Sequence, residues 1–244
     1  MNTLNALGEF GYLIWRVLKN LRYTWHDRRR VLYQLDHVGV KSIPLVSLIG
    51  MFAGALMAWQ AAYQFQGMVS LSILGGQVVR AVMMEMAPVL TALVISGRIG
   101  ASMAAEIGTM KVTEQIDALR TMSIDPVRYI VMPRVLGLTL MMPVLTLFAV
   151  TIAVLGSFLV AEYFLSVTRQ VYFNSIREFF LLTDLLGGLF KGAVFGVIIA
   201  LVACYKGMNT ELGARGVGQA TISAFVVCSI CILSGDFLLW IILF

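Results

Sequence analysis

Long uncharged runs limit what this chain can fold into. No Asp, Glu, Lys or Arg occurs from Ser42 to Val79, from Val135 to Ala161, or from Gly216 to Gly235. Between Leu185 and Tyr205 Lys191 is the sole charge, and the run 80–105 is apolar apart from Arg80, Glu85 and Arg98. A bilayer core about 30 Å thick is crossed by about 20 apolar residues in a helix. Backbone polar groups inside it must be satisfied within the span, which favours helices. The runs predict an all-α integral membrane protein with five transmembrane helices, at about 43–65, 80–104, 134–162, 184–206 and 217–243. Only 13% of the 244 residues are charged, against roughly 25% in a soluble domain. The chain divides into residues 1–41, an interfacial helix and turn, and 42–244, a single transmembrane domain.

Basic residues collect on the cytoplasmic side of membrane proteins. Arg16, Lys19, Arg22, Arg28, Arg29, Arg30 and Lys41 precede the first span. Arg98, Lys111, Arg120, Arg128 and Arg134 surround the connection between spans two and three, and Lys206 and Arg215 that between four and five. Arg80, Arg169, Arg177 and Lys191 fall on the other side. Fourteen against four predicts a cytoplasmic N-terminus and an external C-terminus. The net charge of +5 follows from this asymmetry and does not indicate nucleic acid, since no basic patch is interleaved with exposed aromatics. The first residues lack the basic start and short apolar core of a cleaved signal. Cys228 and Cys231 have neither a second pair nor a nearby His, so no metal site is expected and small apolar packing is.

Residues 4–25 place Leu7, Phe10, Ile14, Val17, Leu18, Leu21 and Trp25 at helical spacing. This predicts a helix in the membrane interface, or one packed on a partner. A polar turn is expected from Asp27 to Lys41. In span one Gly50 and Gly54 permit close helix contact. Trp59, Gln60 and Tyr63 lie towards its outer end, Tyr63 suited to an aromatic belt and Gln60 to a cavity. In span two Glu85 is too deep for lipid contact and needs a partner on another span or subunit, because Arg80 is badly spaced. It serves either packing or transport. Pro88 predicts a kink, followed by Gly97 and an interfacial Arg98. An external segment between Glu162 and Asp184 is long enough for a short helix. Four glycines between Lys206 and Thr221 predict a tightly turned connection.

The polar stretch Ala104–Leu119 interrupts this apolar chain. Val112, Ile116 and Leu119 form one helical stripe, opposite Lys111, Glu114 and Thr121, and Asp117 with Arg120 is spaced for an i, i+3 pair. A short amphipathic helix is expected, ending before Ser123. A helix start is expected at Asp125-Pro126 and another at Pro133-Arg134.

Together these residues carry a family resemblance. Glu85-x-x-Pro88, Ser-Gly-Arg-Ile-Gly at 96–100, Ala-Glu-Ile-Gly-Thr-Met-Lys-Val-Thr-Glu-Gln-Ile-Asp-Ala-Leu at 105–119, Asp125-Pro126, Pro133-Arg134 and Gly-Ala-Arg-Gly-Val-Gly-Gln-Ala-Thr at 213–221 resemble the MlaE/YrbE permeases. These are the membrane subunits of MCE-associated ABC transporters. The resemblance spans nearly the whole chain. It departs at Met86-Ala87, where the family often has Leu-Gly, and at Ser123, where it often has Gly.

The resemblance implies a homodimer in the bacterial inner membrane. Its expected partners are a cytoplasmic ABC ATPase, a periplasmic ring of MCE-domain proteins, and membrane phospholipid moved between the inner and outer membranes. It implies a coupling helix at about 106–122, with Glu106, Gly108, Met110, Lys111, Glu114, Gln115, Asp117 and Leu119 as ATPase-coupling residues. Glu85, Pro88, Gly97 and Arg98 become gating or structural residues, and Trp59, Gln60 and Tyr63 cavity residues. No cofactor is expected on this chain, since the phosphate-loop spacing is absent; ATP and Mg would belong to the ATPase. A secondary transporter driven by ions or protons is the alternative, although the halves show no repeat. An intramembrane enzyme is disfavoured, because His26 and His37 both precede the first span.

Overall fold

The computed structural model describes residues 3–20, 28–65 and 71–243, and every regular element among them is helical. The expectations for Leu21, Arg22, Trp25, His26 and Asp27 fall outside the described residues. The helices are α1 (Thr3–Asn20), α2 (Arg28–Val38), α3 (Ile43–Phe65), α4 (Leu74–Ala81), α5 (Ala87–Ile95), α6 (Ala101–Val112), α7 (Gln115–Thr121), α8 (Met132–Tyr163), α9 (Arg169–Phe179), α10 (Leu182–Met208) and α11 (Ala214–Leu243). Several run together, so that five continuous helices are long and apolar enough to cross a membrane: Arg29–Gln64, Leu71–Val112, Val127–Tyr163, Leu182–Met208 and Ala214–Leu243.

All five expected spans are present, but their ends differ. The region up to Lys41 is not a polar turn: α2 leads through a short 3-10 segment, Val40–Ser42, into α3. Span two starts before Arg80 and continues past residue 104 to Val112. No helix starts afresh at Pro133. The chain turns into a helix at Pro126, with Asp125 Oδ1 accepting the Val127 N–H at 3.0 Å as expected of a cap, and runs through Pro133 unbroken.

Proline is absorbed in the same way twice. Π-helical segments occupy Val82–Met86 and Val127–Val131, each ending two residues before a proline. The residue just before each proline, Ala87 or Met132, donates five residues back, to Val82 or Val127. A proline ring crowds the carbonyl four residues earlier and offers it no N–H. One wider turn relieves that clash without ending the helix. Pro88 therefore widens span two. A third π segment, Ser96–Gly100, follows in the same span.

The spans pack through backbone contact. Gly50 and Gly54 on α3 face Ala149 and Ala153 on α8, and Gly156 of α8 faces Met51. These increasing registers make α3 and α8 parallel, and the expected close approach is realised. A methyl at Gly54 would run into the Ala153 carbonyl oxygen, whereas one at Gly50 would sit 3.0 Å from that of Ala149. Gly54→Val is expected to cost about 1–3 kcal/mol and Gly50→Ala markedly less. Thermal unfolding of the two variants in detergent checks the order.

Helix α10 is the central element. Its Gly192 and Gly196 pack on Thr146 and Leu138 of α8, and Gly188 and Gly207 on Met83 and Ile107 of span two. Helix α11 instead buries a single stripe, Ala220, Ala224, Cys228 and Ile232. It exposes Ile222, Ile230, Phe237, Leu238 and Ile241. The expected glycine-rich turn is shorter than its sequence suggests. Gly207 belongs to α10, Gly216 and Gly218 to α11, and only Gly213 has a positive φ, at 93°.

Outside the spans, α9 fills the predicted external segment and packs on α4. Ser175 Oγ accepts the Gly76 N–H at 3.0 Å. The buried Tyr172 hydroxyl meets Ser157 Oγ at 2.6 Å, and burial pushes that phenol above its ordinary range.

Candidate functional site

Charged residues from three spans meet inside the bundle. Lys191 on α10 is fully enclosed. Its Nζ donates to Glu85 Oε1 at 3.0 Å, to Asp236 Oδ1 at 2.9 Å and to the Met84 carbonyl at 3.2 Å. The Trp240 ring centroid lies 5.2 Å from the same ammonium. Pro88, four residues beyond Met84, has no N–H to give that carbonyl, so the lysine supplies a donor where the proline lacks one. An ammonium in this position needs such partners, because an unpaired charge out of water is costly. Gly188, one turn before Lys191, lets α10 approach the Met83 backbone. The three spans are thus tied at one level by one cation.

The expectation that Glu85 pairs with another span holds. Arg80 instead donates its Nε to Asp184 Oδ2 at 2.9 Å. Counting Lys191 with the external charges does not hold, because it is buried inside the bundle. Sequence reasoning missed Asp236 altogether. A signal was available: Lys191 and Asp236 are the lone charges in long uncharged stretches, near the same end of two consecutive spans. Antiparallel helices bring such positions to one depth.

Arg98 does not simply reach for the interface. Its Nη1 donates to Ser42 Oγ, which donates to the Val38 carbonyl. That ties the third π segment to the base of α3. Gly97 faces the Phe225 ring on α11, where a methyl would sit 3.4 Å away. Trp59 and Tyr63 are exposed on α3, with Trp59 edge-on to Phe164 at 6.1 Å. Gln60 is exposed beside them. The structure does not bring these three to the charge cluster.

The stretch 106–122 is not one helix. Its first half is the end of span two. After Val112 the chain breaks at Thr113-Glu114, with Glu114 left-handed at φ 59°, and restarts as α7. The expected apolar stripe survives across the break through Ile116, buried, and Leu119, packed on the core. The helix ends where expected, with Ser123 at φ 60°.

The residues expected to couple separate by environment. Glu106 is exposed and pairs with Arg134 at 3.0 Å. Gly108 is buried against the Thr210 side chain. Met110 is half-buried. Lys111 and Arg120 reach Asp117 at 3.5 and 3.0 Å, so the i, i+3 pair is present. Gln115 Nε2 donates to Thr113 Oγ1 at 3.0 Å, across the break. Glu114 is exposed.

Helix α1 is clipped onto this same end of the bundle, the basic end. Arg16 pairs with Asp125, whose Oδ2 also accepts from Asn20 at 3.2 Å. Glu9 Oε2 accepts from Tyr205 and Asn209, both at 3.3 Å. Leu13 and Val17 are buried beneath it, while Tyr12, Trp15 and Leu18 stay exposed. The helix thus presents one buried row to the bundle and one exposed apolar row outward.

Comparison with known proteins agrees with this architecture. The family described as Permease MlaE matches residues 31–242. A probable ABC transporter permease protein of Rickettsia typhi is 42% identical over 88% of this chain and 83% of its own length. One of Synechocystis sp. is 39% identical over 88% of this chain and 82% of its own length. The chloroplastic protein TRIGALACTOSYLDIACYLGLYCEROL 1 of Arabidopsis thaliana is 34% identical over 94% of this chain and 64% of its own length. With five spans and this match over most of its length, the chain is a multi-pass membrane transport protein and belongs to the MlaE permease family.

Proposed function

We propose that this permease is the membrane subunit of an ABC transporter that moves lipids, glycerophospholipids foremost, between the inner and outer membranes. The observation that carries the lipid reading is an apolar furrow between α3 and span two. It is lined by Gly50, Ala53, Met86, Leu90, Val94 and their neighbours, with Thr91 the sole polar residue among those described. The space in it is only about 10 Å³, so it is an apolar wall along which an acyl chain would lie and not a formed cavity, and it offers nothing to a hydrated ion. The exposed apolar faces of α3 and α11 support a second copy closing over this side, with Trp59, Gln60 and Tyr63 at the outer rim of the shared cavity. One relative is named for a glycolipid. ATP and Mg belong to a separate ATPase docked at the basic end against 106–122. MCE-domain proteins form a ring on the opposite, periplasmic side. The protein then sits in the bacterial inner membrane with its N-terminus in the cytoplasm and its C-terminus in the periplasm. No nucleic acid is involved.

The buried Lys191 cluster favours a second reading, transport driven by protons or ions. One experiment separates the two. The permease is reconstituted with its ATPase in vesicles containing a labelled phospholipid. Lipid movement that needs ATP and the ATPase is the expected result. Movement driven by a pH gradient without the ATPase would replace this reading with the second.

A further inference from the structure

At the basic end, α2, the end of α6 and the start of the third span enclose a pocket of about 310 Å³. It is lined by Arg29, Arg30 and Arg134, by Tyr33 and Tyr129, and by an apolar floor that includes Met110 and Pro133. Among the described residues the lining holds three cations and no acid. Glu106 lies outside it, bound to Arg134 Nη2. Arg134 Nη1 donates to the Ile130 carbonyl at 3.2 Å. Its Nε is buried and has no hydrogen-bond partner among the described residues, an unfavourable state for a guanidinium donor. The Arg30 guanidinium lies 3.7 Å from the Tyr129 ring centroid, so the ring holds it by its face.

We infer that this pocket binds the phosphate of an anionic phospholipid, at a site separate from the transport furrow. Two facts favour a lipid over an acidic protein surface. The pocket lies between the starts of two helices long and apolar enough to cross a membrane, Arg29–Gln64 and Val127–Tyr163, and beside Val135, where the uncharged run of the second begins. Leu32, Val40 and Leu140 are exposed along those same helices, a surface for acyl chains below the headgroup. Basic pockets between membrane helices have this use elsewhere. Arginine forks match phosphate oxygens two at a time. A bound phosphate would sit against Arg29 and Arg30 and beside Arg134, the residue that holds Glu106. The inference needs the membrane-embedded fold but not the identity of the cargo.

The test is native mass spectrometry of the purified full-length protein, with phosphatidylglycerol and phosphatidylcholine offered equally. Phosphatidylglycerol should be retained at least about tenfold better, and Arg29→Gln/Arg30→Gln should abolish the preference. Arg29 is exposed, so Arg29→Gln alone gives the same reading with less in the direction of zero preference if the double variant does not fold. Equal retention of the two lipids by the wild type, or an unchanged preference in the variants, overturns the inference. Displacement of the lipid by millimolar inorganic phosphate alone would assign the site to free phosphate instead. Loss of a copurifying ATPase with lipid preference intact would assign the arginines to a protein interface.

Discussion

Lys191→Met is expected to destabilise the protein more than any other single change considered. Methionine keeps the stem and its packing, but it strands two carboxylates, Glu85 and Asp236, and the Met84 carbonyl. Removing one partner of a buried ion pair costs about 3–5 kcal/mol. The lower figure applies here, because Glu85 keeps about a third of its side-chain exposure and Asp236 16%. Thermal unfolding in detergent should drop sharply, and lipid movement should fail with it. The neutral triple variant, Lys191→Met with Glu85→Gln and Asp236→Asn, removes the stranded charges. Stability should return, since uncharged replacements of buried pairs are often neutral or better. Transport then divides the two readings of Glu85. If it also returns, the cluster is packing; if it stays lost, the charges work in the transport cycle. An unshifted unfolding temperature for Lys191→Met would show that the lysine holds nothing together.

The sequence was informative where lipid imposes a simple rule. An uncharged run of sufficient length has few alternatives to a spanning helix, so all five spans could be read, and Gly50 with Gly54 marked their close packing. Helix ends were harder, because nothing in a periodic pattern says where a span leaves the bilayer. Residues 105–112 are polar enough to resemble a separate element, yet they continue span two. Prolines misled for a physical reason. Pro88 and Pro133 signal a kink or a fresh start by local rules, while a single wider turn satisfies the same steric demand and leaves the helix intact. The charge cluster was half legible: Glu85 at membrane depth called for a partner, but choosing Lys191 and Asp236 needs the order in which helices pack. The arginine pocket was illegible, since it joins residues about a hundred positions apart whose charges had been read as topology signals alone.

Glu114 offers the second large effect, and it separates charge from backbone. The residue is exposed, and it holds the left-handed turn between α6 and α7 at φ 59°. That conformation costs a side-chain-bearing residue about 1 kcal/mol relative to glycine. Glu114→Gly removes the carboxylate and relieves the turn, so the isolated permease should become slightly more stable. Glu114→Lys reverses the charge and retains the strain. If the carboxylate contacts the ATPase, both variants should lose coupling, with ATPase affinity falling roughly tenfold (about 1.4 kcal/mol) and further for lysine, which adds repulsion. Stability and coupling then move in opposite directions in the glycine variant, an outcome that a purely structural role for Glu114 does not produce. The readouts are unfolding temperature, copurification with the ATPase, and ATP hydrolysed per lipid moved. Normal coupling in both variants would remove Glu114 from the docking surface and leave the break between the two helices, with its buried Ile116, as the element that the ATPase engages.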